Sequence, residues 1–117
     1  MGDFVVDRFG QIDYAVNAPG EDQNVWKPIA ETDVATYDRI MEVNALGILL
    51  CCKAEAAVMR KQTPKTLTGR NGTRDIGRGA IVNIASANAF VGLLGLTKMT
   101  GLDHATEGVR CNVICPT

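Results

Sequence analysis

The chain has 117 residues, of which 46% are apolar and 21% charged, and its net charge is −1. That balance is globular and lacks the clustered basic excess of a nucleic-acid footprint. No apolar run approaches the roughly eighteen residues needed to cross a membrane as a helix, and the length allows one ordinary domain or a piece of a larger one.

Phe4 to Phe9 reads as the end of a helix, with Gly10 as its stop. Ile12 to Asn17 has the pattern of a short strand, closed by Ala18-Pro19-Gly20. Residues 21–31 are a polar loop carrying Trp26, which serves either as a loop anchor or as the lining of a cleft. A helix is expected from Thr32 or Asp33, either of which is a good cap, with Val34, Tyr37, Ile40 and Met41 on one face. Its pattern runs on through Asn44. From Ala45 to Lys61 it is apolar almost all round, the mark of a helix buried on two sides. Asn44 and Gly47 interrupt this run, and a polar side chain there needs a partner or water.

Residues 62–79, with Gly69, Gly72, Gly77 and Gly79 among Thr, Arg and Lys, read as a surface loop. They are not a dinucleotide cradle: they form no GxGxxG, and they precede a strand instead of following one. Gly79 to Ile84 then reads as a fully buried parallel strand that ends in Ala85-Ser86-Ala87-Asn88. Ligands of open α/β sheets bind at the carboxyl ends of strands, so Ser86 is the first candidate for chemistry. A serine in that place can equally serve its own turn by bonding nearby backbone. Leu93 to Thr106 reads as a helix weakened by Gly95 and Gly101 and stopped at Gly108; Arg110 to Cys115 is a final strand ended by Pro116. Strands alternating with helices predict an α/β fold of about three parallel strands with flanking helices, in one domain over 1–117.

The amino terminus has neither a basic leader nor a signal-type apolar core, and Val6 breaks the myristoylation pattern, so a cytoplasmic location is expected. The cysteines are Cys51, Cys52, Cys111 and Cys115. Neighbours in a helix cannot readily pair, no Cys-x-x-Cys occurs, and His104 alone supplies too few nitrogen ligands for zinc. Buried, reduced thiols and no metal site are expected.

Segments in one consistent order carry a resemblance. Phe9 to Gly20 resembles the fourth strand and Asn-Asn-Ala-Gly turn of the short-chain dehydrogenase/reductase family, and Val43-Asn44-Ala45-Leu46-Gly47 is similar to its Val-Asn-x-x-Gly segment. Gly79 to Ser86 looks like its fifth strand with the catalytic serine, Gly95-Leu96-Thr97-Lys98 like its Gly-Leu-Thr-Lys, and Gly108 to Pro116 like its sixth strand and the loop beyond. The resemblance implies a partial Rossmann-type, doubly wound sheet that binds NAD or NADP and moves hydride to or from a carbonyl or alcohol substrate. By that resemblance Ser86 would bond the reacting oxygen, Asn44 would hold a relay water, Asn17 and Gly20 would lie beside the adenosine half, and Pro116 and Thr117 would border the nicotinamide. A hydroxyl at a strand end can stabilise a developing oxyanion without itself being charged.

The departures are equally specific. Nothing matches the family's first strand and glycine-rich turn, and no Tyr-x-x-x-Lys occurs: Met99 and Asp103 stand where spacing from Ser86 would place that pair. Val91-Gly92 and Leu93-Leu94-Gly95-Leu96 look like two family segments joined without the stretch between. The turn Asn17-Ala18-Pro19-Gly20 has Ala18 for the usual second asparagine and Pro19 for the usual alanine. These departures imply an inactive fragment of an oxidoreductase. The alternative is a non-catalytic remnant, or a module that binds a homologous subunit or a second copy through the helix at 45–61. The strand at 12–17 would then form an exposed apolar edge prone to self-association.

Overall fold

A computed structural model describes residues 2–22, 27–85 and 92–116. Helix α1 (Gly2–Phe9) ends at Gly10, whose φ of 82° suits glycine and whose N–H reaches Val6 O at 2.7 Å. Strand β1 (Tyr14–Asn17) follows. Helix α2 (Val34–Met41) is capped by Asp33, whose carboxylate accepts from the Thr36 N–H and hydroxyl, each at 2.8 Å. A wider π-helical turn, Glu42–Leu46, carries the chain into α3 (Gly47–Met59). Then come β2 (Lys65–Gly69), β3 (Gly72–Gly77), β4 (Gly79–Ile84), α4 (Gly92–His104) and β5 (Val109–Ile114).

The expected parallel sheet is present, in the order β1-β4-β5, with Ala15, Ile81 and Cys111 level across it and Asn17, Asn83 and Val113 level two residues on. Side chains from α3 and from α4 both bond Asn83, so these helices lie on one face of the sheet, where Val5 and Val6 of α1 also pack. Two crossovers running the same way along a sheet, both right-handed, must share a face.

That geometry corrects several expectations. The β4 strand is not buried on both sides: Gly79, Ile81 and Asn83 are buried beneath the helices, while Ala80, Val82 and Ile84 are only partly covered. On that second face Tyr14 is 73% and Val16 67% exposed. The α3 helix buries a single stripe, Ile48, Cys52, Ala56 and Met59, while Leu50 points outward and is 55% exposed. A stripe spaced this way faces one layer only. No residue of α2 is buried, so its apolar face is not core.

Residues 62–79 are also more than loop. β2 and β3 pair antiparallel, with Thr66 opposite Asp75, Thr68 opposite Thr73 and Gly69 opposite Gly72, and Gly72 takes a φ of 101°. The Thr-Leu-Thr and Thr-Arg-Asp-Ile stretches around Asn71-Gly72 are a hairpin signal, which the glycine density obscured.

A polar clamp fixes the other end of the sheet. The Gln62 carboxamide accepts from Ile12 N at 2.7 Å and donates to Ile12 O at 2.9 Å and Arg78 O at 2.7 Å, tying the end of α3 to the entries of β1 and β4. Arg78 answers with bonds to the carbonyls of Gln62 and Glu107, both 2.8 Å.

Gly79 lies directly under Met59, which is fully buried: a Cβ built on Gly79 would stand 2.4 Å from the Met59 sulfur. Gly79→Ala is expected to cost about 1–3 kcal/mol through overpacking. Combined with Met59→Val it should cost less than the two single changes together, because they share one space. Urea unfolding of the four proteins measures the coupling; strict additivity would show that Met59 does not fill the space above Gly79.

Candidate functional site

The carboxyl edge of the sheet is where the sequence placed its candidates. The ladder continues past β4, with Ala85 N donating to Ile114 O at 2.8 Å, so the position before Ser86 stands beside the exit of β5 and next to Cys115-Pro116. Ser86, Thr117 and Trp26 themselves lie outside the described residues.

Asn44 comes to the same edge from the π-helical turn. Its Oδ1 accepts from Glu21 N at 3.1 Å and its Nδ2 donates to Glu21 O at 2.7 Å, which clamps the segment leaving β1. Arg39 adds an ion pair to Glu21 at 3.0 Å. The widened turn is what lets the Asn44 carboxamide face that backbone while α2 and α3 continue on either side. Asn17 is buried, and its Nδ2 donates to Glu55 Oε2 and Asn83 Oδ1, both at 3.0 Å. Gly20 and Pro116 are exposed, and a Cβ on Gly20 would meet nothing within 4 Å.

Behind this edge lies a buried polar network that motif spacing did not single out. Asn83, with no exposure at all, receives the Asn17 bond, donates to Thr97 Oγ1 at 3.1 Å, and lies 3.4 Å from Cys52 Sγ and 3.7 Å from Cys111 Sγ. The signals were there in the sequence: an asparagine inside a β-branched strand and a glutamate inside an apolar helix. Each had to find a partner once buried.

Could these residues hold a dinucleotide? Gly20 and Pro116 border open space and fit an edge of such a ligand. The phosphates fit less well: the α2 amino terminus, a natural anion site, is already occupied by the Asp33 carboxylate. Among the described residues no strand–glycine turn–helix offers another cradle.

Burial holds the Glu55 carboxyl above its ordinary 4.5, against the opposing pull of the Asn17 N–H. The native state therefore keeps this proton more tightly than the unfolded chain does. Below 4.5 both states are protonated and nothing is lost. As pH rises through the raised native value the buried charge must form, and stability falls. Glu55→Gln keeps an acceptor for Asn17 and removes that charge. It is expected to melt above the parent at neutral pH and level with it in acid, by circular dichroism; equal melting at both would show that Glu55 bears no burial cost.

Comparison with known proteins places this geometry. The family model described as Enoyl-(Acyl carrier protein) reductase matches residues 1–117. The chain is 35% identical over 124 residues to Short-chain dehydrogenase anuF of Penicillium roqueforti, covering 95% of this chain and 45% of that protein. It is 34% identical over 125 residues to 2-(R)-hydroxypropyl-CoM dehydrogenase of Xanthobacter autotrophicus, covering 95% and 44%. Sorbitol-6-Phosphate 2-dehydrogenase SrlD from Erwinia amylovora superposes with a TM-score of 0.75 at 23% identity, covering 96% of this chain and 43% of that one. The chain thus spans a little under half the length of these relatives. With a matching family model, a Rossmann-like parallel sheet and the ordered motifs along it, the chain belongs to the short-chain dehydrogenase/reductase family.

Proposed function

We propose that this chain is the strand-β1-to-β5 portion of an NAD(P)-dependent oxidoreductase that moves hydride between a nicotinamide and a carbonyl or alcohol, and that by itself it does not catalyse that reaction. The observation that carries this reading is the alignment of the three strands' carboxyl ends, with Asn17, Asn44 and the approach to Ser86 gathered along one edge. In this reading Ser86 bonds the reacting oxygen and Asn44 orients a water for proton transfer. Gly20, Pro116 and Thr117 border the cofactor, and Asn17 supports the turn from beneath.

Inactivity follows from chemistry that this chain does not supply. A tyrosine made more acidic by a neighbouring lysine is the proton donor that the family resemblance implies, and neither member of that pair is here. Losing a general acid of this kind typically costs about a hundredfold to ten-thousandfold in rate. The alignment to the Penicillium relative, 124 residues against the 117 of the whole chain, supports a stretch missing within the matched span. Purified chain with NADH or NADPH and a panel of aldehydes and ketones is expected to show no loss of reduced nicotinamide above a Ser86→Ala control. Turnover clearly above that control would overturn the reading.

A second reading, a module that binds another subunit through the helix at 45–61, is favoured by one observation. Leu46 and Leu50 stand outward on that helix, with Leu50 more than half exposed. If the module reading holds, the chain self-associates in light scattering and Leu50→Glu shifts it towards monomer; an unchanged mass would remove this reading.

A further inference from the structure

We propose that Cys52 and Cys111 are an oxidisable dithiol, converted by hydrogen peroxide into a disulfide that joins α3 to β5. The two thiols come from distant parts of the chain and meet at one buried amide. Asn83 Nδ2 lies 3.4 Å from Cys52 Sγ and 3.7 Å from Cys111 Sγ, and Asn83 Oδ1 accepts the Cys52 S–H at 3.6 Å. Both sulfurs thus lie within 3.7 Å of one nitrogen atom. Sheet register explains the meeting: Cys111 is level with Ile81, two residues before Asn83 on the helix-covered face, and Cys52 is on the α3 stripe that packs there.

The surroundings favour a thiolate at this spot. The Cys111 S–H bond, and after it the Asn83 bond, draw the Cys52 thiol below its ordinary value against the opposition of burial, and Cys52 in turn pushes Cys111 up. A stabilised thiolate is the attacking form in oxidation. Cys52 is only 2% exposed, but Cys111 is partly exposed. Cys111 also lines an open groove of about 1160 Å³, with Leu67, Arg74, Thr97 and Gly101 among its other walls. The groove brings a molecule as small as peroxide to Cys111, which shares the Asn83 amide with Cys52. Neither cysteine has a part in the hydride chemistry proposed above.

In the first step the Cys52 thiolate attacks one peroxide oxygen and the O–O bond breaks. The departing hydroxide takes a proton and leaves as water, and Cys52 becomes a sulfenic acid. In the second, Cys111 sulfur gives up its proton and attacks Cys52 sulfur. The S–O bond breaks, and hydroxide leaves with that proton as a second water. Two thiols and one peroxide become one disulfide and two waters.

The test uses the whole chain carrying Cys51→Ser and Cys115→Ser, both at partly exposed positions, so that only the proposed pair remains. After about one equivalent of hydrogen peroxide and trapping of free thiols with iodoacetamide, intact mass is expected to fall by about 2 Da, reversibly with dithiothreitol. Adding Cys52→Ser or Cys111→Ser should abolish the loss, and in the parent pair it should form about tenfold faster in native buffer than in urea, because the fold holds the sulfurs together. A mass that only gains oxygen, or stays reduced, overturns the proposal, as does equal formation in urea. Should the double variant fail to fold, fragment-ion sequencing of the oxidised wild-type peptides separates Cys51 from Cys52 and Cys111 from Cys115. Cross-links at any other pair overturn the proposal.

Discussion

The structure depends on one buried carboxamide. Asn83 sits near the carboxyl end of the middle strand with no contact with solvent, and its side chain joins β1 through Asn17, α3 through Cys52 and α4 through Thr97. A buried amide left unpaired costs about 1–3 kcal/mol, whereas one bonded from several sides fixes the relative positions of everything that bonds it. An apolar residue there would still hold helices against the sheet. It would not select the register at which Asn17, Asn83 and Val113 stand level, and with it the alignment of the strand ends.

That alignment links the interior to the edge where chemistry is proposed. The Asn17 side chain turns inward to the network while the chain beyond it is clamped by Asn44 through Glu21. The edge is therefore built twice, from beneath by buried amides and from the side by the π-helical turn. At the opposite end Gln62 and Arg78 set the depth at which the strands enter. Between these polar ends the apolar stripe of Ile48, Cys52, Ala56 and Met59 supplies non-directional burial on Ile81 and its neighbours. Burial drives collapse, and the polar groups decide in which register.

The sheet is covered on one face only among the described residues. Parallel sheets are ordinarily covered on both, and Tyr14 and Val16 carry the apolar character expected of a covered face. The same one-sidedness explains why α3, apolar almost all round, buries so narrow a stripe. It has a sheet beneath it and α4 beside it, and its outward leucines meet neither.

By itself the sequence determined the parallel sheet, its flanking helices and the family, because these rest on local patterns, while it read the β2–β3 hairpin as loop. Those patterns are the Asp33 cap, the Gly10 and Gly108 stops, the β-branched run at 81–84 and five motifs in register. Through the family resemblance it also brought Asn17 and Asn44 forward as site residues, Asn17 at the end of a strand and Asn44 at a break in a helical run. Tertiary structure alone decided the rest. Whether a strand is covered on one face or two depends on the side to which distant crossovers pass, and no window of sequence records that. Glu55, Asn83, Cys52 and Cys111 are separated by up to 59 residues of chain, and nothing local joins a glutamate in one helix to a cysteine in the last strand. They form one network because packing buries Asn83 and Cys52 and partly covers Glu55 and Cys111, so the polar groups shielded from water bond one another.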